Sequence, residues 1–378
     1  MIPLSHFKID FKKLKEIDKL VLFSMISLII IGIVNIYLAT ESKYGTSFLI
    51  KQSMWFLICL VALYFVLAID YTLLKSYTPL FYWGSIILLI LTMFIGSDIN
   101  GARGWIKFGP VSFQPAELAK IATIMMLGKT LEEMNGTINE WKNFFKMAVY
   151  AVIPAAFIVI QPDMGMTMVL FFIVVGIFFI GGLDIRIIGG GLLSLLIAIV
   201  IVWNSGLIQP YQKTRITSFL NPESDTSESG YQLKHSLISI GNGGTLGLQG
   251  NSITKETSVG YASQYVPEVQ TDFIFASVAE QWGLVGACIL LLLYGLLIAR
   301  MIAIGQTAKD TFGSIICVGL VAYFLFALLQ NIGMTIGLMP ITGITLPLIS
   351  YGGSSLLTTV MSIGLVLNVG MRRKKIYF

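Results

Sequence analysis

The chain has 378 residues, of which 56% are hydrophobic and 12% charged, and its formal net charge is +5. Its mean hydropathy is +0.82. A soluble protein carries roughly 25% charged residues, so this chain lacks the polar residues that would cover a water-soluble globule of its length. The composition excludes an ordinary soluble domain and indicates a protein whose surface is covered largely by lipid.

Apolar stretches of membrane-spanning length recur along the whole chain. A helix needs about 20 apolar residues to cross the hydrocarbon core of a bilayer. The predicted spans are Leu20–Leu38, Leu49–Ile69, Phe81–Ile95, Leu118–Leu127, Met147–Ile160, Met164–Ile180, Ile187–Trp203, Phe273–Ile298, Ile315–Leu338 and Ile344–Val369. The short stretch Leu118–Leu127 needs its amphipathic flanks, from Pro115 to Lys129, to reach that length. The pattern predicts an all-α polytopic membrane protein, a single transmembrane domain over residues 1–378 with about ten helices.

The ends of the chain are polar and basic. We expect residues 1–19 and 370–378 to be tails outside the membrane, and the first span to be a membrane anchor rather than a cleaved signal peptide. Cys59, Cys288 and Cys317 all lie in predicted spans and are interpreted as small apolar residues, not as disulfides or metal ligands. The two histidines, His6 and His235, are too far apart to suggest a zinc site.

Basic residues near the span ends predict the orientation. With ten spans both termini share one side, and that side holds sixteen of the 25 basic residues. These are Lys8, Lys12, Lys13, Lys15, Lys19, Lys75, Lys129, Lys142, Lys146, Arg186, Arg300, Lys309, Arg372, Arg373, Lys374 and Lys375. Both termini are therefore predicted to be cytoplasmic. The positive net charge reflects this bias and not nucleic-acid binding, although the basic N-terminal run could also touch anionic lipids.

Two of the loops predicted to face outward are long. One is Ser97–Pro115, and the other, residues 205–271, is a long extracellular loop before the eighth helix. The second loop is rich in Gly, Ser and Thr but also carries several tyrosines and apolar residues. Long loops of this kind are usually functional or disordered. The apolar residues favour a loop that packs against the membrane domain.

Asp272 is an ionisable residue at the point where the long loop becomes a span. A charged side chain at the membrane is costly unless it is paired or hydrated. Burial among aromatic neighbours disfavours the charged carboxylate and is expected to raise the pKa of Asp272, which suits a general base. The alternative is a helix N-cap, since Thr271 or Asp272 at a helix start would accept backbone N–H bonds.

A second polar cluster begins in the first outer loop. Arg103 and Lys107 flank Trp105, an arrangement that could bind phosphate beside an aromatic wall. The alternative is an interfacial tryptophan anchor with basic neighbours. Pro115 is expected to open a helix, which places Glu117 and Lys120 on one helix face as a structural pair or as part of a polar cavity.

Three further tracts contain glycine or proline. The turn Gln161-Pro162-Asp163 suggests that Asp163 caps the next helix. The glycines of residues 240–247 permit close backbone approach, but their spacing matches neither a Walker loop nor a dinucleotide fingerprint. The run from Leu346 to Ser355 interrupts a hydrophobic helix. Broken backbone at membrane depth survives only inside protein or beside a cavity, which predicts a polar cavity in the outer half of the membrane domain.

Taken together, these tracts resemble the shape, elongation, division and sporulation (SEDS) family of bacterial peptidoglycan glycosyltransferases. The tracts are the Trp105 region with Phe113–Lys120, Gln161–Asp163, Tyr231-Gln232 with the glycine-rich run, Thr271–Phe275 and Ser350–Ser355. The resemblance implies a ten-span fold in the bacterial plasma membrane, lipid II as the substrate, and Asp272 as the catalytic carboxylate. One position departs from the family pattern: many members carry a basic residue directly before the tryptophan, where this chain has Gly104.

The resemblance also implies partners and a branch. The family works with a single-span transpeptidase, a class B penicillin-binding protein, and we also expect other elongation-complex membrane proteins but no nucleic acid. The tract from Asn331 to Met334, followed by Gly337 to Ile344, favours the elongation (rod-shape) branch over the division branch. The candidate substrate-binding residues are Trp105, Arg103, Lys107, Gln114, Glu117, Lys120, Arg215, Glu268 and Ser350.

The expected reaction is an inverting glycosyl transfer in which Asp272 takes the proton of the acceptor hydroxyl. Arg103, Lys107, Lys120 and Arg215 are the candidates to neutralise the leaving pyrophosphate. A divalent cation, Mg or Mn, is left open, because the sequence contains no dedicated metal cage. One alternative is a lipid II flippase, which would need charges along the whole transmembrane path. The other is a non-catalytic scaffold, which would not require Asp272 or Trp105.

Overall fold

The structure, a computed structural model, describes residues 15–99, 102–109, 111–204, 228–250 and 260–373. Ten long helices lie at the positions of the ten predicted spans. They are α1 (Lys19–Tyr44), α2 (Ser47–Ala68), α3 (Tyr71–Ile95), α4 (Pro115–Glu133), α5 (Trp141–Ile160), α6 (Met164–Ile180), α7 (Ile185–Asn204), α11 (Ile274–Gln306), α12 (Thr311–Thr335) and α13 (Gly353–Met371). The outer loops add β1 (Ser97–Ile99), β2 (Ala102–Phe108), β3 (Val111–Phe113), α8 (Glu228–Gly243), α9 (Gly247–Gly250) and α10 (Tyr261–Tyr265).

Seven helices of the described segments are long and apolar enough to span a membrane: α1, α2, α3, α5, α11, α12 and α13. Two shorter apolar stretches accompany them: α6 (Met164–Ile180) and the part of α7 from Ile185 to Ile197. Helix α4 is instead rich in charge, with a buried Glu117 and Lys120. The fold is a predominantly helical membrane bundle, as predicted. The number of crossings and the cytoplasmic position of the termini stay predictions.

The centre of the bundle is formed by α4, α12 and α13. In the most apolar window of each helix, 83% of the residues of α13 and 61% of those of α12 are buried, against 17% for the peripheral α2. Helix α12 packs against α4, α6, α11 and α13, and α11 packs against α1. Cys59 and Cys317 are buried and Cys288 is exposed, and all three are free, as expected.

The first outer loop adds a small sheet that the all-α prediction did not include. Residues Ser97 to Phe113 form a small antiparallel sheet in the order β1-β2-β3, with Ile106 opposite Phe113 and Ser97 opposite Trp105. Strands of three residues are too short to show a period of two in the sequence. The sheet leads directly into α4, since β3 ends at Phe113 and the helix begins at Pro115. Pro115 occupies the first turn of that helix, as predicted.

The predicted last span, Ile344–Val369, is also wrong at its beginning. Helix α13 starts only at Gly353, and the non-helical segment before it, residues 341–352, carries positive φ angles at Gly343 and Leu348. We call residues 341–352 the broken segment. Helix α1 lies close to it, since a Cβ added at Gly32 would lie 2.7 Å from the carbonyl oxygen of Ile349.

The described part of the long outer loop is helical and packs against the bundle, as expected. Helix α8 contacts α11 and α12, and residues 244–245 reach the kink that α11 makes at Gly283 (φ 65°). The N–H groups of Leu284 and Val285 donate to the carbonyls of Gly244 and Thr245 at 2.9 and 3.2 Å. The loop therefore accepts hydrogen bonds from backbone groups that the kink in the helix leaves without intrahelical partners.

Ion pairs join the helices at the end of the bundle that is predicted to be cytoplasmic. Arg372 lies 2.9 Å from Asp70, Lys75 pairs with Glu132, and Arg300 of α11 pairs with Asp18. Asp18 also caps α1, because its carboxylate accepts from the N–H groups of Leu20 and Val21 at 3.1 and 3.2 Å. One side chain therefore both begins α1 and ties it to α11.

Burial alone would raise the pKa of the Asp18 carboxyl, but Arg300 and the two backbone N–H groups outweigh it and lower that pKa below its ordinary value. Because the lowered pKa belongs to the folded state, this contribution to stability is present above the ordinary carboxyl pKa near 4. It is lost as the pH falls through the lower value of the folded state.

We predict that Asp18→Asn destabilises the protein at pH 7 by less than about 1 kcal/mol, because asparagine keeps the cap and loses only the partly exposed ion pair. Asp18→Ala should cost about 1–2 kcal/mol, since it removes both. Thermal unfolding in detergent, measured from pH 7 down to pH 3, checks the order. Equal unfolding temperatures for the two variants at pH 7 would contradict the capping role.

Candidate active site

A cavity of about 310 Å³ lies on the side of the bundle predicted to face outward. Its wall combines β2, the first turn of α4, the turn before α6, residues 268–272, α12 and the broken segment. The lining residues are Trp105, Gln114, Glu117, Pro162, Asp163, Met164, Gly165, Met166, Val169, Glu268, Thr271, Asp272, Tyr323, Thr342, Gly343, Ile344, Thr345, Tyr351, Gly352 and Ser355. Five of the ten predicted site residues meet there: Asp272, Trp105, Gln114, Glu117 and Glu268.

Asp272 is half-buried in a tight turn just before α11. The carbonyl of Glu268, a residue at φ 53°, accepts from the N–H groups of Thr271 and Asp272 at 3.1 and 3.2 Å. Helix α11 begins at Ile274, and its N-cap residue is Phe273. Asp272 therefore precedes the cap position, and the alternative that it or Thr271 is the N-cap residue is wrong.

Glu117 and Lys120 form a buried ion pair whose acid lines the cavity. The Lys120 Nζ lies 2.8 Å from Glu117 Oε2, and the whole lysine is only 1% exposed. The same oxygen accepts from Thr358 Oγ1 at 3.0 Å. The Lys120 ammonium also sits over the ring of Tyr323, 3.4 Å from its centroid. The sequence left a structural pair and a cavity wall as alternatives, and the geometry contains both.

Strand β2 carries Trp105 to the cavity wall. Alternate residues of a strand share one face, so Arg103, Trp105 and Lys107 lie on one face of the sheet, while Gly104 and Ile106 are buried on the other. Trp105 is half-buried and lines the cavity, whereas Arg103 and Lys107 are exposed and are not among its lining residues. The predicted basic flank of the tryptophan is therefore solvent-exposed and does not form part of the cavity wall.

Asp163 is a cavity residue that sequence reasoning missed. Its Oδ1 accepts from the N–H of Met166 at 2.9 Å, which confirms the predicted cap of α6. Its Oδ2 accepts from Gln114 Nε2 at 2.8 Å, and both side chains line the cavity. The signal that was available is the Gln161-Pro162-Asp163 turn itself, whose position beside Gln114 depends on tertiary packing.

Ser350 is buried behind the cavity wall and does not line it. Its hydroxyl donates to the carbonyl of Thr271 at 2.6 Å and accepts from the N–H of Leu346 at 2.8 Å. Both functions of the hydroxyl are thus used by backbone, so the prediction that Ser350 binds substrate is replaced by a contact to the turn that carries Asp272. Arg215 lies outside the described residues.

The charge of the wall differs from the expectation of a basic rim. Four carboxylates line the cavity, from Glu117, Asp163, Glu268 and Asp272, and no lysine or arginine is found among its described lining residues. Lys120 is paired with Glu117, and Arg103 and Lys107 are at the surface. In the part of the chain that the structure describes, no three His, Cys, Asp or Glu side chains are spaced to hold a metal.

Comparisons with known proteins identify the family. A family model for FtsW, RodA and SpoVE, described as "Cell cycle protein", matches residues 17–375. The chain is 35% identical over 365 residues to stage V sporulation protein E of Bacillus subtilis, covering 93% of this chain and 96% of that protein. It is 31% identical over 431 residues to peptidoglycan glycosyltransferase RodA of Treponema pallidum, covering 95% and 98%.

The fold has a close counterpart among solved structures. A chain from a structure titled "Structural coordination of polymerization and crosslinking by a peptidoglycan synthase complex" superposes with a TM-score of 0.81 and 31% identity. The match covers 94% of this chain and 97% of that one. The chain therefore belongs to the FtsW/RodA/SpoVE (SEDS) family and is a multi-pass protein of the bacterial membrane.

Proposed function

We propose that this chain is a peptidoglycan glycosyltransferase that polymerises lipid II at the outer face of the membrane, with Asp272 as the general base. The observation that carries the proposal is the half-buried Asp272 carboxylate in the wall of an acidic, partly aromatic cavity. Membership of a family with named peptidoglycan glycosyltransferases supports the class of reaction. The position of the cavity on the side predicted to face outward supports the binding of a lipid-linked sugar there.

In the proposed reaction, Asp272 takes the proton from the 4-hydroxyl of the acceptor GlcNAc. The hydroxyl oxygen attacks the anomeric carbon of the donor MurNAc, and the bond to undecaprenyl pyrophosphate breaks. The α-linked donor becomes a β-linked product, since attack and departure occur on opposite faces. A single base is enough, because pyrophosphate leaves as an anion. Its negative charge must be neutralised, but it does not need a proton from a general acid.

Other lining groups support the binding of a sugar. The ring of Trp105 offers an apolar face beside the carboxylates. The hydroxyl of Thr342 is buried, has no hydrogen-bond partner among the described residues and belongs to a residue of the wall. A buried polar group without a partner is costly, and a sugar hydroxyl at this position would satisfy it.

Neutralisation of the pyrophosphate requires positive charge from outside the described wall, because that wall is acidic. Mg²⁺ is usually held by one or two carboxylates together with substrate phosphates, not by an all-protein cage. Asp163 and Asp272 are the carboxylates that would contribute such ligands. A divalent cation bound there would neutralise the leaving group, and Arg103, Lys107 and Arg215 are the basic candidates beside it.

We propose separately that the chain acts in cell elongation with a class B penicillin-binding protein as its partner. The tract from Asn331 to Ile344 supports the elongation branch. The similarity to a chain of a peptidoglycan synthase complex supports a transpeptidase partner.

We predict that Asp272→Asn lowers lipid II polymerisation at least about 100-fold, because a general base contributes roughly that much or more. The measurement is glycan polymer formed by purified protein, with and without the transpeptidase. Glu140→Gln, an exposed carboxylate change at the opposite end of the bundle, is the matched control and should leave the rate unchanged. A rate for Asp272→Asn near that of the control rejects the mechanism, and translocation in vesicles without polymer supports the flippase alternative.

We predict that Lys120→Met destabilises the fold by about 3–5 kcal/mol, because it leaves the Glu117 carboxylate buried without its cation. The double variant Glu117→Gln/Lys120→Met should recover most of that stability and remain poorly active, since the cavity loses its pair. Unfolding temperature and polymerisation rate are measured on both proteins. A double variant that is no more stable than Lys120→Met shows that the two charges are not coupled.

We predict that removal of divalent cations with EDTA abolishes polymerisation and that Mg²⁺ or Mn²⁺ restores it, because the described wall supplies no cation of its own. Asp163→Asn should raise the Mg²⁺ concentration needed for half-maximal rate, as it removes one candidate ligand. Full activity in EDTA would assign the neutralisation to the basic residues instead.

A further inference from the structure

Three consecutive backbone carbonyls of the Asp272 turn each accept a hydrogen bond from another part of the bundle. The N–H of Tyr351 donates to the carbonyl of Gln270 at 2.8 Å. The Ser350 hydroxyl donates to the carbonyl of Thr271 at 2.6 Å, and the Asn331 side-chain amide donates to the carbonyl of Asp272 at 2.8 Å. These carbonyls precede the first turn of α11, so the bonds hold backbone that the helix itself does not fix.

Asn331 connects the turn to the broken segment through one amide group. Its Nδ2 donates to the carbonyl of Asp272 and to that of Ile344, each at 2.8 Å. The residue lies in α12 and is fully buried. Asn331 therefore donates one amide proton to the turn and the other to the broken segment. It has no further donor for a substrate.

Ser350 makes the matching connection from the broken segment itself. Its hydroxyl accepts from the N–H of Leu346 while it donates to Thr271, so it closes a turn within the broken segment and joins that turn to the Asp272 backbone. Because the donor and the acceptor functions are both occupied, the orientation of the hydroxyl is fixed.

The broken segment also leaves room for the Asp272 carboxylate. Gly343 has φ 74°, a conformation that side chains rarely adopt. A Cβ added there would lie 3.4 Å from Asp272 Oδ2. The same segment thus contacts the aspartate on two sides, through hydrogen bonds to its backbone turn and through a glycine beside its carboxylate.

We propose that Asn331 and Ser350 are positioning residues, which set the place of the Asp272 carboxylate in the cavity by fixing the carbonyls of Asp272 and Thr271. The inference rests on the proposed function, because that function gives Asp272 its part in the reaction. Neither side chain lines the cavity, so both act through the backbone. A misplacement of about 1 Å in a reacting group can lower a rate by about 100-fold.

The test uses the full-length enzyme with lipid II and compares Ser350→Ala, Asn331→Ala and Ser350→Thr. We expect kcat to fall about 10- to 100-fold in the two alanine variants, with KM within about twofold of wild type, because transition-state geometry and not substrate binding is affected. Ser350→Thr keeps the hydroxyl and should recover most of kcat. Two alanine variants are used because they remove different bonds, and kcat is expressed per folded molecule.

Ser362→Ala is the matched control. Its hydroxyl is also fully buried and donates to a backbone carbonyl, that of Thr358, at 2.7 Å, but within α13. It should keep the wild-type kcat. Three results overturn the proposal: an unchanged kcat in both alanine variants, a raised KM with an unchanged kcat, or a Ser350→Thr enzyme as slow as Ser350→Ala.

Hydrogen exchange separates a failure of this inference from a failure of the proposed function. If the wild-type protein forms no polymer, the function is rejected, but the backbone contacts can still be tested. Amide exchange over residues 268–273 should then be faster in Ser350→Ala than in Ser362→Ala. Equal exchange in the two variants overturns the positioning role whatever reaction the protein catalyses.

Discussion

Backbone N–H and carbonyl groups inside a membrane domain must find partners within the protein, because hydrocarbon offers none. Regular helix is interrupted at Gly283 of α11 and again in the broken segment before α13. At the Gly283 kink of α11, the carbonyls of Gly244 and Thr245 accept the N–H groups of the next two residues. The second interruption is the broken segment. Ser350 of that segment and Asn331 of α12 donate hydrogen bonds to the carbonyls of the Asp272 turn. In both places irregular backbone is satisfied by another segment of the protein, and the second pairing, between the broken segment and the Asp272 turn, belongs to the cavity wall.

The electrostatics of the site follow from the same scarcity of water inside the bundle. A buried ion pair is tolerated only when its geometry is good and its remaining atoms are hydrogen-bonded. Glu117 and Lys120 meet that condition through Thr358 and the ring of Tyr323. The pair is neutral as a unit, so the charge of the cavity is set by Asp163, Glu268 and Asp272. In the proposed reaction, the anionic leaving group would be neutralised from beyond the described wall, by a bound cation or by the exposed arginine and lysine of β2.

The membrane helices could be predicted from the sequence because a run of about 20 apolar residues is rarely found outside a membrane span. The interruption before α13 was visible for a similar reason, since Gly343, Pro347 and Gly352 stand in an otherwise apolar stretch. The sheet was not predicted, because β1 and β3 have only three residues each and the seven-residue β2 alone does not indicate its partners. The burial of Lys120 could not be predicted either, since an i,i+3 acid–base pair is as typical of an exposed helix as of a buried one. Ser350 was assigned to the substrate because one sequence cannot show that its hydroxyl already has two backbone partners.

The broken segment has a consequence for inhibition. Three glycines, Gly165, Gly343 and Gly352, lie in the cavity wall, and the donor groups of the side chains behind it, Asn331 and Ser350, are engaged in internal hydrogen bonds. A small molecule bound in this part of the cavity could contact main-chain atoms, which are the same whatever residue is encoded. Resistance usually arises by exchanging a side chain that touches the drug but not the reaction. A compound that binds mainly to the main chain at Gly343 would therefore depend less on side chains that a substitution can exchange.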